Sequence, residues 1–256
     1  MLTKDKAVCI RVIDYSETSQ VVTFFTRQTG KAAMIARGSK RPRRPFGGPV
    51  EMFSCGKIVF SDSSREKLAT LVEFEPSGEV VNFSVLAADG FVLNCCLLSA
   101  ELVNLLTKDY DPHPGLYDGL LQFLRVATRT KVTDAARGKL VAGLTVFQLT
   151  LLREIGICPV LQQCVNCKNS FSPRWPEVYF SSSANGLVCR DCQGTSPDRT
   201  RLTKRAAQGL ASIESLASAD DQTIGQVEEI LMGYITDTLG RPPKMAKYIL
   251  QWQVTT

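Results

Sequence analysis

The spacing of apolar and polar positions changes near residue 80. Before it, residues 7–13 (AVCIRVI) and 21–26 (VVTFFT) are short runs rich in β-branched and aromatic side chains. That composition suits pleated strands. Gln28-Thr29-Gly30 punctuates them as a turn, and residues 31–37 (KAAMIAR) read as a third, weaker strand. Residues 50–60 (VEMFSCGKIVF) and 68–74 (LATLVEF) read as two more, joined by the polar turn Ser61-Asp62-Ser63-Ser64. Five short strands without an intervening helix predict a small, closed or nearly closed antiparallel barrel. Pro76-Ser77-Gly78 ends it.

Beyond residue 84 the period becomes helical. Residues 86–106 predict one helix and residues 116–127 a second, entered through the breaker Asp111-Pro112-His113-Pro114-Gly115. Over residues 133–155, Leu140, Leu144, Phe147, Leu151 and Ile155 form an apolar stripe that Val141 and Leu152 widen. Gly156 and Pro159 close that helix. Residues 203–216 and 223–239 predict two more, and Pro242-Pro243 breaks the last. The expected class is α+β multidomain, with a barrel domain over residues 1–80 and a helical domain over residues 81–256. A cysteine-rich insert occupies residues 160–200 of the latter.

Composition narrows the chemistry. The hydrophobic fraction of 44% over 256 residues supports a buried core and argues against disorder. His113 is the only histidine, which excludes any site built from two or three imidazoles. The start, MLTKDKAVCIRVIDYSE, has no apolar run of the signal-peptide kind. The most hydrophobic stretch, residues 91–106, is interrupted by Asn94, Ser99 and Glu101 and is too short for a bilayer. The expectation is a cytoplasmic protein without a membrane partner. In a reducing compartment, clustered cysteines indicate metal or redox chemistry rather than disulfides.

Five of the nine cysteines (Cys9, Cys55, Cys95, Cys96 and Cys158) lie in apolar stretches and read as core thiols. The other four form Cys164-x-x-Cys167 and Cys189-x-x-Cys192, with 21 residues between the pairs. Two residues between thiols let both sulfurs reach one ion, and two such knuckles complete a zinc tetrahedron. Four thiolates leave no open position for water, so one structural Zn²⁺ per chain is expected. An iron–sulfur cluster or a redox pair is the alternative. Pro173-Arg174-Trp175-Pro176 and Tyr179-Phe180-Ser181 suggest a hairpin between the knuckles, with Gly186 at the turn into the second.

The net charge of +5 conceals segregation. Arg27, Lys31, Arg37, Lys40, Arg41, Arg43 and Arg44 fall within residues 27–48 without an acidic residue, so the rest of the chain is net −2. The densest part, GSKRPRRPFGG, is broken by Pro42 and Pro45 and reads as an exposed loop between strands. A second zone, residues 162–205, is net +4 and includes Lys168, Arg174, Arg190, Arg199 and Arg201. A basic loop on a small barrel suits a polyanion, nucleic acid first, with the second zone as further DNA contacts. A solvated charged loop is the plainer reading. Tyr15 or Phe46 would serve as a stacking platform, although packing is the expected fate of each ring.

Signatures of catalysis are missing. There is no GxxxxGK[ST] loop, no GxGxxG and no GxSxG elbow, so no nucleotide cofactor is indicated. His113 sits between two prolines and reads as a loop residue, and no enzyme is expected.

The succession of segments resembles the bacterial RecO family. The matching pieces are RVIDYSETS at 11–19, TRQTGK at 26–31, ARGSKRP at 36–42, LLREIGICP at 151–159 and the CxxC…FS…GLVCxxC stretch at 164–192. They follow the family's order over nearly the whole chain. The resemblance implies an N-terminal OB-fold, a helical C-terminal domain and a zinc-finger-like insert. It also implies a non-enzymatic mediator of DNA repair and recombination, cytoplasmic and nucleoid-associated. Such a protein binds single- and double-stranded DNA, anneals complementary strands and, with RecR, helps load the recombinase onto strands coated by single-strand-binding protein. Cys164, Cys167, Cys189 and Cys192 match the family's zinc positions, and Arg37, Lys40, Arg41, Arg43 and Arg44 fall in its basic loop. The family contacts the tail of single-strand-binding protein through the helical domain, but no short motif places that contact here. Two rival readings remain. One is a zinc-ribbon scaffold that docks protein partners, and the other is a metal-assisted nuclease using Asp109, Asp111 and Asp118.

Overall fold

The computed structural model describes residues 2–41, 48–61, 68–77, 83–130 and 134–251. Arg43, Arg44 and Phe46 lie outside the described residues. The chain packs into two compact units, Met1–Thr130 and Lys131–Thr256.

In the first unit, β1 (Leu2–Asp14), β2 (Gln20–Thr26), β3 (Gly30–Ala36), β4 (Cys55–Ser61) and β5 (Ala69–Pro76) close into a barrel. The order is β1-β2-β3-β5-β4. All pairs are antiparallel except β3–β5, where Met34 lies beside Ala69 and Ile35 beside Thr70. This OB-like topology is the one expected. Alternating residues fill the interior, among them Val22, Phe24, Met34, Ile58, Phe60, Leu71 and Phe74. The rings of Phe24 and Phe74 meet at 5.6 Å. Each large side chain so buried contributes about 1.5–3 kcal/mol.

The register of β1 shifts between Cys9 and Arg11: Cys9 pairs with Phe24, and the next partner of β2, Thr23, pairs with Arg11. Ile10 is therefore an extra residue, and the side-chain alternation inverts after it. Val12 turns towards the core, while Arg11 and Ile13 face outward and are exposed.

Among the described residues, three helices follow the barrel in this unit: α1 (Phe83–Ala87), α2 (Gly90–Leu106) and α3 (Pro114–Arg129). The single helix expected over residues 86–106 is two, because Asp89 is extended at φ −130° and caps α2. Its carboxylate accepts from the backbone N–H groups of Phe91 and Val92 at 2.8 and 3.0 Å. Gly30 has φ +84°, and a Cβ there would lie 2.3 Å from the Asp111 carbonyl oxygen. Only glycine lets the β2–β3 turn approach the α2–α3 connection so closely.

The second unit contains α4 (Asp134–Glu154), α5 (Lys204–Ala211), α6 (Ile213–Ala217), α7 (Asp221–Leu239) and α8 (Ala246–Leu250). The apolar stripe of α4 is buried as expected at Leu140, Leu144, Phe147 and Leu151. The helix expected over residues 203–216 is split because Ser212 is extended and its hydroxyl caps α6 at Ser215 N–H. A small sheet of order β7-β6-β8 is built from β6 (Val178–Ser181), β7 (Gly186–Cys189) and β8 (Thr200–Leu202). The hairpin thus joins residues 178–181 to 186–189, and Trp175 precedes it, packing edge-on to Phe171 at 5.5 Å. Among the described residues, no helix is long and apolar enough to cross a membrane.

Candidate metal centre and nucleic-acid interface

The four clustered cysteines come together at one end of the small sheet. Cys164 and Cys167 lie in the loop before it, Cys189 ends β7, and Cys192 lies in the 3-10 turn Arg190–Thr195. Their sulfurs all lie within 4.8 Å of one another. Cys167 Sγ and Cys189 Sγ are 3.7 Å apart. A zinc tetrahedron with bonds of about 2.3 Å has edges of about 3.8 Å, so the sulfur cage fits such an ion.

Local backbone geometry makes the cage. Cys164 N–H donates to Asn169 O at 2.9 Å, and Lys168 N–H donates to Cys164 O at 3.1 Å. Lys168 takes φ +62° to close this first knuckle. Cys189 N–H points at Cys164 Sγ at 3.5 Å, and Asn166 Nδ2 donates to Thr195 Oγ1 at 2.8 Å, tying one knuckle to the other. Gly186 has φ +150°, and a Cβ on it would meet Val160 O at 2.3 Å. The strand entering the second knuckle can therefore lie against the segment leading into the first.

The electrostatics also suit a cation. Burial alone would raise the Cys164 thiol, but backbone N–H groups from Cys189, Cys167 and Asn166 hold it down, at about 6. Cys192 is pushed up to about 12, first by Cys189 and then by burial and the other two sulfurs. The first negative charge is easy to place and the last is resisted by its neighbours. A divalent ion removes that resistance. These four cysteines can hold a metal ion, as their spacing predicted.

The basic residues divide into groups. Arg37 and Arg41 are exposed where β3 leads into the basic loop. Lys40 is half-buried and pairs with Asp14 at 2.6 Å. Lys31 departs from the expected DNA contact. Its ammonium is turned inward, donating to Asn104 O and Thr107 O at 2.8 Å each. It satisfies carbonyls left open at the end of α2 and pairs with Asp109 at 3.3 Å. Arg27 forms a two-pronged pair with Asp118 at 3.0 and 2.9 Å. In the second zone, Arg174 and Arg190 are exposed. Lys168 donates to Val165 O, Arg199 to Ser196 O, and Arg201 pairs with Glu177 at 2.9 Å. Among the three acids of the nuclease reading, Asp118 is engaged by Arg27 and Asp109 by Lys31. His113 lies 3.4 Å from Asp111 at the start of α3.

Sequence reading missed a cleft of about 630 Å³ on the barrel, lined by Lys4, Lys6, Arg27 and Lys57 but also by Asp5, Glu73 and Glu75. Its residues are scattered along the chain, so no charge run announces it. It also missed Glu228, which is fully buried. The helical period of Ile224, Val227, Leu231 and Ile235 did carry that signal, since position 228 falls on the same face.

Comparison with known proteins divides the chain after the barrel rather than between the two compact units. Residues 1–79 match the family profile described as recombination protein O N terminal, and residues 87–247 match that described as recombination protein O C terminal. The chain belongs to the RecO family. The DNA repair protein RecO of Halalkalibacterium halodurans is 29% identical over 211 residues, covering 82% of this chain and 76% of the relative. The protein of the same name from Bacillus pumilus is 27% identical, covering 99% of this chain and 95% of the relative. That from Bacillus subtilis is 25% identical, with 99% and 96% covered. The barrel and the helical region of this RecO-family chain are each matched, and the barrel, helical region and cysteine cluster are those the resemblance implied.

Proposed function

We propose that this RecO-family protein is a DNA-binding mediator of recombinational repair, without catalytic activity of its own. It binds single- and double-stranded DNA and anneals complementary strands. With RecR it helps load the recombinase onto strands coated by single-strand-binding protein, whose tail it also contacts. It works in the bacterial cytoplasm at the nucleoid. The observation that carries this reading is the pair of exposed arginines, Arg37 and Arg41, where an acid-free basic segment leaves a closed five-stranded barrel.

Arg37, Lys40, Arg41, Arg43 and Arg44 neutralise phosphates without reading bases, which suits a protein that accepts any sequence. Arg174, Arg190 and Arg199 of the cysteine insert, with Lys168 and Arg201, supply further DNA contacts. Holding two strands screens their repulsion and raises their local concentration, so annealing requires no nucleotide. The four cysteines hold one Zn²⁺, which fixes the insert and leaves no position for a reacting water.

If Arg41, Arg43 and Arg44 each meet one phosphate, their joint replacement by alanine flattens the salt dependence of single-strand affinity. The log–log slope will fall by about 2, from roughly 0.7 per phosphate. Fluorescence anisotropy across a salt series measures it. An unchanged slope would place the DNA surface elsewhere, and no DNA binding at moderate salt would favour a scaffold that docks proteins.

A further inference from the structure

The two outward faces of the barrel differ in kind. On the face of β1, β4 and β5, rows across the strands read Lys4–Val59–Glu73 and Lys6–Lys57–Glu75. There each lysine row contains an acid, and Lys57 pairs with Glu75 at 3.8 Å. A polyanion gains little from such a face, even though the cleft lined by Lys4, Lys6 and Lys57 opens on it.

The face of β1, β2 and β3 is different. Because of the bulge at Ile10, the outward rows are Arg11–Thr23–Ala33 and Ile13–Val21–Ile35. Ile13 is 43% exposed, and Val21 and Ile35 are half-buried. Just past the ends of β1 and β3 stand Tyr15, 65% exposed, and Arg37, also exposed. Packing was the expected fate of the Tyr15 ring, and the structure shows it open to solvent. Asp14 ends β1 and is met by Lys40, and Glu17 lies in the β1–β2 turn. This face therefore carries an apolar row with an open aromatic ring, between arginines.

We infer that Tyr15, with the row Ile13–Val21–Ile35, is a base-stacking platform that makes this barrel face prefer single-stranded to double-stranded nucleic acid. The inference rests on the DNA-binding function proposed above and names which form of DNA that site takes. Phosphates are common to single strands and duplexes, so Arg11, Arg37 and Arg41 attract both. Unstacked bases are offered only by the single strand, because duplex bases already stack on one another. An exposed ring and aliphatic row gain contact area from the former alone, whatever the sequence.

The test compares the full chain with Tyr15→Ala, Tyr15→Phe and Arg37→Ala/Arg41→Ala, using a thymine homopolymer and a duplex of equal length. Tyr15→Ala is expected to weaken single-strand binding by about 5- to 100-fold, the usual effect of removing one stacking side chain. Duplex affinity and the salt slope should stay unchanged, and Tyr15→Phe should bind like the wild type. The double arginine variant should lose affinity for both forms. Tyr15→Trp gives a direct readout: its added emission, above that of Trp175 and Trp252, should be quenched by the homopolymer and not by the duplex. Equal loss on both DNA forms in Tyr15→Ala would overturn the platform while leaving DNA binding intact. So would wild-type affinity in Tyr15→Ala alongside a weakened arginine variant. A wild-type chain that binds neither form would overturn this inference and the function it rests on together.

Discussion

Replacing Cys189 and Cys192 by serine will remove one equivalent of zinc per chain and lower the melting temperature of the second unit by about 10–15 °C. The magnitude follows from the cage. Four-thiolate zinc contributes on the order of 10 kcal/mol or more to small domains, and loss of only a third of that is worth about 10 °C or more in a unit of this size. The insert has other supports, which is why collapse is not expected to be complete. Phe180 packs edge-on against Tyr234 of α7 at 5.9 Å, and the Tyr234 hydroxyl donates to either Ile157 O or Asn185 Oδ1, at 2.6 and 2.7 Å. Asp198 accepts from Ser181 Oγ and from both N–H and Oγ of Ser183, which hold its carboxyl down at about 2. Elemental analysis and calorimetry of the two proteins measure the effect. Identical melting with no metal in the wild type would contradict it.

The second large effect is one of pH. Glu228 lies fully buried on α7, accepting from Gln148 Nε2 of α4 at 2.6 Å, with Thr145 Oγ1 at 2.9 Å. Burial pushes its carboxyl up from 4.5 to about 7, although both partners pull it down. Below pH 4.5 the folded and unfolded chains both hold the proton. Between 4.5 and about 7 the unfolded chain has released a proton that the folded chain keeps. Stability therefore falls as pH rises across that window, by about 1.4 kcal/mol per pH unit and about 3 kcal/mol in all, and is flat above it. A glutamine keeps the shape without the charge. Thr145 has one hydroxyl hydrogen and also lies 3.0 Å from Val141 O. A side-chain amide at 228 would donate to Thr145 Oγ1 while Thr145 donates to Val141 O.

Glu228→Gln should accordingly be more stable than the wild type by about 1–3 kcal/mol at pH 8 and nearly equal to it at pH 4.5. Denaturant titrations of both proteins across that range isolate this group from the other acids. A constant difference between them at every pH would contradict a carboxyl that is neutral in the fold.

Much of this was legible in the chain. The β-branched and aromatic run of residues 21–26 and the stripe from Leu140 to Leu151 depend on neighbours in sequence, and both appear where the pattern put them. The CxxC pairs were equally plain, because knuckle geometry is local. What escaped depends on contacts distant in sequence. β8 is Thr-Arg-Leu, too short and polar to announce a strand, and it is recruited by the edge of β6. The parallel β3–β5 pairing that closes the barrel has no local signature. Lys31 sits in a basic run and yet points inward, because the open carbonyls of α2 lie within its reach. Asp89 and Ser212 looked like ordinary polar residues inside helical periods, but their side chains cap a new helix rather than extend the old one. Glu228 is a different case, since the helical period places it on the buried face: Glu229 is exposed, and a Glu-Glu pair is easily taken for surface charge.

In the proposed function, this RecO-family protein joins DNA strands through charge and stacking alone. The most direct measurement is the annealing of two complementary labelled oligonucleotides by the purified full chain, followed by energy transfer without ATP. Pairing is expected to be faster than the spontaneous rate, unchanged by added ATP, suppressed by rising salt and slowed by the Arg41/Arg43/Arg44 alanine variant. Pairing at the spontaneous rate with folded, zinc-bound protein, or acceleration only when ATP is supplied, would contradict it.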